Sequence, residues 1–486
     1  MNLRGLIKGL KIKSMRGELD VDIKGVVEDS RLVKPGFLFV CIKGREFDGH
    51  KFIFQALEKG ACAIAGEEEM PELPGITWIR VENTRRFLSF VAHRFFGEPG
   101  KSMKIIGITG TNGKTTTSYL IYRIMERAGY EVGRIGSIWY EWKGRKLPAS
   151  LTTPQSLNLF SLLSEMLQDG VKEVVMEVSS HSLSLHRVDA LRFSWAIFTN
   201  LTPDHLDFHG DMEEYFRAKL KLLDLLKERG KVFVNIDDPK FSHIPLLTRK
   251  EVITFGEKTE AHYRIVEWES DWEGVKMLIS AKGEKKGIFL PFPGKFNLYN
   301  AVAAVAWARE EEISWKVITE TLANMEPVPG RFEVLKNGEM RVVVDYAHTP
   351  DALNRLLENV RELTPGRVIT VFGCGGERDR EKRPLMGKVA EVWSDWVIVT
   401  SDNPRREDPE LIIKDILNGM EEKNHEVLID REEAIRKAIG MAEEGDTVVI
   451  AGKGHENYQI WGETIIPFED KLVAENFLKE RRRLKV

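Results

Sequence analysis

The run Gly110-Thr111-Asn112-Gly113-Lys114-Thr115-Thr116 brings glycines, a lysine and hydroxyls into one short loop. This is chemistry for holding phosphate. The glycines let backbone N–H groups approach an anion, the lysine can reach terminal phosphates, and the Thr115 hydroxyl can ligate Mg²⁺. The loop is shorter than the commonest pattern, because Ile108 stands where that pattern has glycine. The competing reading is a glycine-rich turn with a surface lysine. What flanks the loop disfavours it: Ile105-Ile106-Gly107-Ile108 reads as a buried strand, and Tyr119 to Glu126 as a helix.

Other reactive types stand at the ends of apolar runs. Glu177 follows Val174-Val175-Met176, and His205 lies just beyond the run from Trp195 to Asn200. Open α/β sheets bind ligands beyond the carboxyl ends of their strands, so both can converge with the phosphate loop. His205 and His209 have a spacing that could suit zinc, but Pro203 and Gly210 predict a loop there. One histidine near Mg²⁺ and phosphate is the more economical reading, with His209 structural.

Lys219 falls on a predicted helix that Asp211 caps, with Glu214 at the capping-box position. Met212, Tyr215, Phe216, Leu223 and Leu226 form its apolar stripe, and Lys219 lies on that stripe. A snorkelling stem with its head in water is the ordinary outcome. A buried amine would instead have a depressed pKa and could take up CO₂ as a carbamate, a carboxylate-like metal ligand. Asn297 and Asn300 precede an Ala/Val-rich helix and read first as caps, with base recognition as the alternative.

These residues need sheets to position them. At 486 residues the chain has room for three domains of ~150 residues. Glycine- and proline-rich breaks near Phe96–Gly100 and Pro327–Gly330 divide it into 1–101, 102–327 and 328–486. Strands and helices alternate throughout, which predicts an α/β fold with a largely parallel central sheet. In the last segment, strands ending near Asp345, Phe372, Thr400 and Ala451 each run into a polar cluster. The net charge of −4 argues against a large nucleic-acid footprint. Three cysteines without CxxC spacing fit a reducing, cytoplasmic setting, and no run approaches the ~20 apolar residues of a membrane span.

Taken together the motifs resemble the Mur ligases, ATP-dependent enzymes of peptidoglycan precursor synthesis. The family's phosphate loop, Gly-Thr-Asn-Gly-Lys-Thr-Thr, is matched at 110–116. Further matches point to the branch that adds the third amino acid. They are Asp29-Ser30-Arg31, Thr152-Thr153-Pro154, Glu177-Val178-Ser179-Ser180-His181, Asp204-His205-Leu206-Asp207, Asp345-Tyr346-Ala347-His348, Asp402-Asn403-Pro404-Arg405 and Gly452-Lys453-Gly454-His455-Glu456.

The resemblance implies a UDP-sugar-binding domain (1–101), a central P-loop ATPase sheet (102–327) and a C-terminal Rossmann-like, amino-acid-binding domain (328–486). It implies ATP and Mg²⁺ as cofactors. ATP would meet Gly110, Thr111, Asn112, Gly113, Lys114, Thr115, Thr116, Asn297, Arg331 and Asp345. Thr115 and Glu177 would hold one Mg²⁺, and Glu177, His205 and a carbamylated Lys219 a second. Lys114, Glu177, His205 and Lys219 would carry catalysis. Ser30, Thr152, Thr153, Ser179 and Arg187 would hold a UDP-N-acetylmuramoyl dipeptide, although Leu185 stands where some relatives have glutamine. Arg378, Asp402, Asn403, Arg405, Gly452 and Glu456 would hold the incoming diamino acid. The Asp-Asn-Pro-Arg signature favours meso-diaminopimelate, with lysine as the alternative. A folylpolyglutamate synthase and a non-ligating nucleotide switch are further readings. The expected protein is a monomer.

Overall fold

The computed structural model describes every residue except 45–46, 70–74 and 485–486. Among the described residues the framework is three sheets in chain order, of five, eleven and six strands, with a separate two-stranded hairpin near the C-terminus.

The central sheet is organised around the strand Lys104–Thr109, which lies between Phe193–Phe198 and Glu173–Glu177, parallel to both. Alternate side chains of a strand point to opposite faces. Accordingly Ile106 and Ile108 pack with the helices Lys114–Arg127 and Lys295–Glu310, while Ile105 packs with Ser156–Gln168. Each of these isoleucines is fully buried, worth ~1.5–3 kcal/mol apiece. The phosphate loop thus hangs from a strand that is clamped on both faces.

The largely parallel expectation holds, with antiparallel strands added at both edges. The strands Trp139–Trp142 and Arg145–Pro148 extend one edge as an antiparallel hairpin. The strands Tyr263–Asp271, Gly274–Ala281 and Glu284–Leu290 form an antiparallel meander at the other. Two of the hairpin turns, Lys143-Gly144 and Lys282-Gly283, hold both residues at positive φ. That is the turn geometry that matches strand twist.

The first sheet runs Ile12–Arg16, Thr77–Val81, Ala61–Gly66, Phe37–Val40, Gly25–Val27, parallel except at Ile12–Arg16. The third runs Glu333–Asn337, Met340–Asp345, Thr447–Ala451, Val368–Phe372, Trp396–Val399, His425–Val427, parallel except at Glu333–Asn337.

The helix carrying Lys219 spans Met212–Asp224, capped by Asp211, whose carboxylate accepts from the N–H groups of Glu213 and Glu214. Glu214 does not complete a capping box; its carboxylate accepts from Arg217 at 2.8 Å. Leu226, expected on the helical stripe, opens the strand Leu226–Asn235 instead. Leu222 is the buried residue there, while Leu223 is only partly covered.

Candidate active site

Phosphate-loop geometry follows from its two glycines. Gly110 has φ +147°, and a Cβ there would lie 1.9 Å from Thr199 Oγ1; Gly113 has φ +85°, and a Cβ would lie 2.3 Å from Asn300 Oδ1. A side chain at either position would be strained by its φ and would have to displace that neighbour. The next strand end clamps the loop: Asn112 N donates to Asn200 Oδ1 at 2.9 Å, and Thr199 Oγ1 donates to Asn112 O at 2.7 Å. Thr111 Oγ1 donates to Thr202 O at 3.0 Å, and Thr116 is buried in the first helical turn. Lys114 Nζ curls back onto Gly110 O (2.9 Å) and Thr111 O (2.7 Å). Burial pushes this amine below its ordinary pKa, against the pull of Glu177 and Asp204.

Glu177 ends its strand fully buried. Oε2 accepts from Thr115 Oγ1 at 3.1 Å and from Ser137 Oγ at 3.0 Å; Oε1 accepts from Ser137 N at 2.9 Å. Ser137 is a site residue that sequence reasoning missed. Its Oγ also lies 3.1 Å from Thr152 Oγ1. Thr153 Oγ1 donates to Glu177 O at 2.8 Å and accepts from Ser179 N at 3.1 Å, and Arg187 Nη1 donates to Thr153 O at 3.0 Å. Thr152, Thr153, Ser179 and Arg187 therefore form one cluster beside Glu177. Buried Arg187 Nε has no partner among the described residues. Ser30 lies apart in the first sheet unit, donating to Gln55 Oε1 at 2.6 Å. Two residues before it, Glu28 lies within electrostatic reach of Arg187.

His205 and His209 were expected on a loop, but Leu206–His209 forms a short helix, with His205 at its N-cap in the left-handed region (φ +56°). His205 Nε2 lies 3.3 Å from Asp204 Oδ2, and its ring packs edge-on against His181, centroids 4.6 Å apart. Burial lowers its pKa to about 4; Asp204 opposes this, while His348, Lys114 and Lys219 add to it. His209 Nε2 lies 2.9 Å from Ser180 Oγ.

Lys219 does not snorkel. Its side chain is buried, Nζ donates to Gly110 O at 2.9 Å, and the amine sits 4.3 Å from the Tyr215 ring centroid. Burial, and then the charge of Lys114, hold its pKa well below the ordinary lysine value.

The asparagines do not cap their helix. Lys295–Glu310 begins before them, at Gly294, and the backbone N of Lys295 is satisfied by Asn359 Oδ1 at 2.8 Å. Asn297 donates to Pro293 O at 2.8 Å and accepts from Asn300 Nδ2 at 3.2 Å, beside Gly113. Arg331 lies over the Tyr346 ring, 4.5 Å from its centroid, and reaches His455 Nδ1 at 3.3 Å. Asp345 accepts from Phe332 N and Ala347 N, both at 2.7 Å; burial pushes its carboxyl up, against Arg331 and those N–H groups. Asp351, also missed, accepts from Asn112 Nδ2 at 3.2 Å and so ties the third sheet unit to the phosphate loop.

Farther into the third unit, Asn403 Nδ2 and Lys453 Nζ both donate to Glu456 Oε2, at 2.9 and 3.0 Å. Gly452, at φ +116°, lets its backbone pass Asp402, whose Oδ2 would lie 2.8 Å from a Cβ. Arg405 has φ +53°, and its Nη1 donates to Gly376 O at 2.6 Å. Burial lowers its pKa, and neighbouring Arg378 lowers it further. Arg378 donates to Glu377 O at 3.1 Å. Among the described residues neither arginine has a carboxylate in ion-pair contact.

Comparison with known proteins places the chain in a family. Three family models match in order: "Mur ligase family, catalytic domain" at 22–96, "Mur ligase middle domain" at 108–308, and "Mur ligase, glutamate ligase domain" at 330–454. A curated relative from Caldanaerobacter subterraneus subsp. tengcongensis is 43% identical over 99% of this chain and 100% of its own length. One from Clostridium botulinum is 44% identical over 99% and 100%. Both are named UDP-N-acetylmuramoyl-L-alanyl-D-glutamate--2,6-diaminopimelate ligase. A solved structure described by the same name aligns over 99% of both chains at 30% identity, with a TM-score of 0.69. The fold and site define an ATP-dependent ligase that forms amide bonds. The chain belongs to the Mur ligase family. Among the described residues no helix is long and apolar enough to cross a membrane.

Proposed function

We propose that this chain joins meso-diaminopimelate to the D-glutamate carboxylate of UDP-N-acetylmuramoyl-L-alanyl-D-glutamate, a step of peptidoglycan synthesis, as the names of its relatives describe for them. The observation that carries the choice of amino acid is the pair Arg378 and Arg405, neighbouring cations with no carboxylate in ion-pair contact among the described residues, although Asp402, Glu456 and Glu377 lie within electrostatic reach of Arg405. An arginine grips a carboxylate through two parallel N–H bonds. Diaminopimelate offers a far carboxylate to this pair; lysine has none. Asp402, Asn403 and Glu456 stand ready to hold the other polar groups, with Gly452 letting the backbone approach.

In the reaction, the D-glutamate side-chain carboxylate attacks the γ-phosphorus of ATP and ADP leaves, giving an acyl phosphate. The amine attacks the acyl carbon, phosphate leaves with the C–O electron pair, and the amine loses a proton. Lys114 and the loop N–H groups hold the phosphates; Asn297, Arg331 and Asp345 contact the rest of ATP. Thr152, Thr153, Ser179, Arg187 and Ser30 bind the UDP-linked substrate. Segments 1–101, 102–327 and 328–486 thus bring acid, nucleotide and amine together, and closing them excludes the water that would hydrolyse the acyl phosphate.

Hard oxygen donors converge at Thr115 Oγ1 and Glu177 Oε2, a set that suits Mg²⁺. These two residues would hold one ion, and Glu177, His205 and modified Lys219 a second; when bound, the ions offset the repulsion between the reacting anions. The neutral Lys219 amine adds to CO₂ with loss of one proton. The resulting carbamate gives Lys114 an attracting, negatively charged neighbour in place of a neutral amine. The chain works as a cytoplasmic monomer, in the compartment of its soluble substrates.

Steady-state kinetics with the UDP-linked dipeptide, ATP and Mg²⁺ test the assignment. The expected result is a kcat/KM for meso-diaminopimelate well above that for L-lysine; a preference for lysine overturns it.

A further inference from the structure

We infer that Arg134 is a positioning residue for the two Mg²⁺-facing side chains, Thr115 and Glu177, and acts on them from behind the site. This rests on the proposed role of those two residues as metal ligands.

Arg134 lies on the strand Val132–Ile135, next to the Glu177 strand and directly opposite Glu141 across the edge hairpin. It is among the largest fully buried side chains of the molecule. Nε donates to Glu141 Oε1 at 2.6 Å, and the Glu141 side chain is itself only 4% exposed. A buried ion pair is weak evidence for stability, because desolvating two charges offsets most of their attraction. A reason for keeping it must be sought in what else the guanidinium touches.

Two contacts lead to the site. Nη1 donates to Ser118 Oγ at 3.3 Å, and Ser118 Oγ donates to Thr115 O at 2.9 Å. The guanidinium therefore braces the helical turn that presents the Thr115 hydroxyl. A Cβ at Gly136 would meet Glu177 Oε1 at 2.4 Å and Arg134 Nη1 at 3.3 Å. The carboxylate and the guanidinium thus flank the same glycine, just before Ser137, which holds Glu177 by two hydrogen bonds. The Tyr119 ring, 5.5 Å from Arg134, closes the other side. Glu141 fixes the fork of the guanidinium, and the fork fixes the walls on which both ligand oxygens stand. Such outer partners set metal affinity without touching the metal.

The test removes both charges at once, Arg134→Met with Glu141→Leu, so that no buried charge is left unpaired. A second variant, Ser118→Ala, cuts the relay to Thr115 while leaving the ion pair intact. Mn²⁺ binding is read by electron paramagnetic resonance in the presence of a non-hydrolysable ATP analogue, beside the thermal midpoint. The expected result is an affinity for Mn²⁺ about tenfold weaker in each folded variant, and an unchanged KM for the amino acid. Unaltered Mn²⁺ affinity in a folded variant overturns the inference. Should the double variant not fold, Ser118→Ala decides alone. Absence of Mn²⁺ binding by the unaltered chain also overturns it. Normal Mn²⁺ binding with a preference for lysine counts only against the proposed amino acid.

Discussion

The amines of Lys114 and Lys219 donate to the same acceptor, the carbonyl oxygen of Gly110, each at 2.9 Å. Two ammonium groups so placed repel, and burial penalises both charges. The strain is relieved when Lys219 is neutral, which is also the form that adds to CO₂. In solution, ¹³C-labelled bicarbonate is expected to give a carbamate resonance that is absent from Lys219→Ala. That variant is expected to lose about a hundredfold in kcat, the scale of a lost metal-site partner. A labelled resonance that persists in the variant would contradict the assignment.

Gly113→Ala places a Cβ 2.3 Å from Asn300 Oδ1 at φ +85°. The strained backbone and the displaced Asn300 are expected to cost ~1–3 kcal/mol of stability. ADP affinity should fall with it, because the N–H groups of the loop no longer converge. Denaturant midpoints and calorimetric titration measure the two effects.

The sites that could be read in the sequence are those whose chemistry is local. The phosphate loop, Glu177 at a strand end and the Asp211 cap need only near neighbours in the chain. Lys219 shows the limit of such reading. Periodicity put it on the buried face, but the direction of its head depends on Gly110, far back in the sequence. Asn297 was taken for a cap because its helix starts earlier, after Gly294, and its first N–H group, that of Lys295, is satisfied by Asn359 from another sheet unit. The bond from Asn112 to Asp351 spans 239 positions and has no local signature. The antiparallel edges were missed for a different reason. Lys143-Gly144 and Lys282-Gly283 carry only the glycine of a two-residue hairpin turn, with lysine where asparagine or aspartate would mark it. Leu226 was misread because its apolar spacing continues past the helix end at Asp224.

Arg405→Lys keeps the charge and loses the planar fork. The loss of one charge-assisted bond is expected to cost about 2 kcal/mol, roughly thirtyfold in kcat/KM for diaminopimelate. The KM for ATP should not move if Arg405 grips the amino acid as proposed. An equal loss with both substrates would count against a specific grip.

His93 gives stability a pH dependence. Its ring packs on Phe160, and Nε2 accepts from Gly100 N at 3.2 Å. Burial lowers its pKa to about 4; Glu98 opposes this, while Lys101, Arg94 and Arg192 add to it. In the unfolded chain the pKa is ~6.5, so the unfolded state binds the proton first. The contribution of His93 is present in full above ~6.5 and is lost progressively as pH falls toward 4. The denaturant midpoint should drop between pH 7 and pH 5 by less in His93→Gln than in the unaltered protein.

The central claim is that nucleotide, acid and amine meet at one site to make an amide. It is tested most directly by incubating the purified chain with UDP-N-acetylmuramoyl-L-alanyl-D-glutamate, meso-diaminopimelate, ATP and Mg²⁺, and quantifying products by mass spectrometry. The account predicts one UDP-linked tripeptide for each ADP and phosphate released, and, when the amine is withheld, ADP release that stops after a single turnover with the acyl phosphate held on the enzyme. ADP release without any new amide, in the presence of all the substrates, would contradict it.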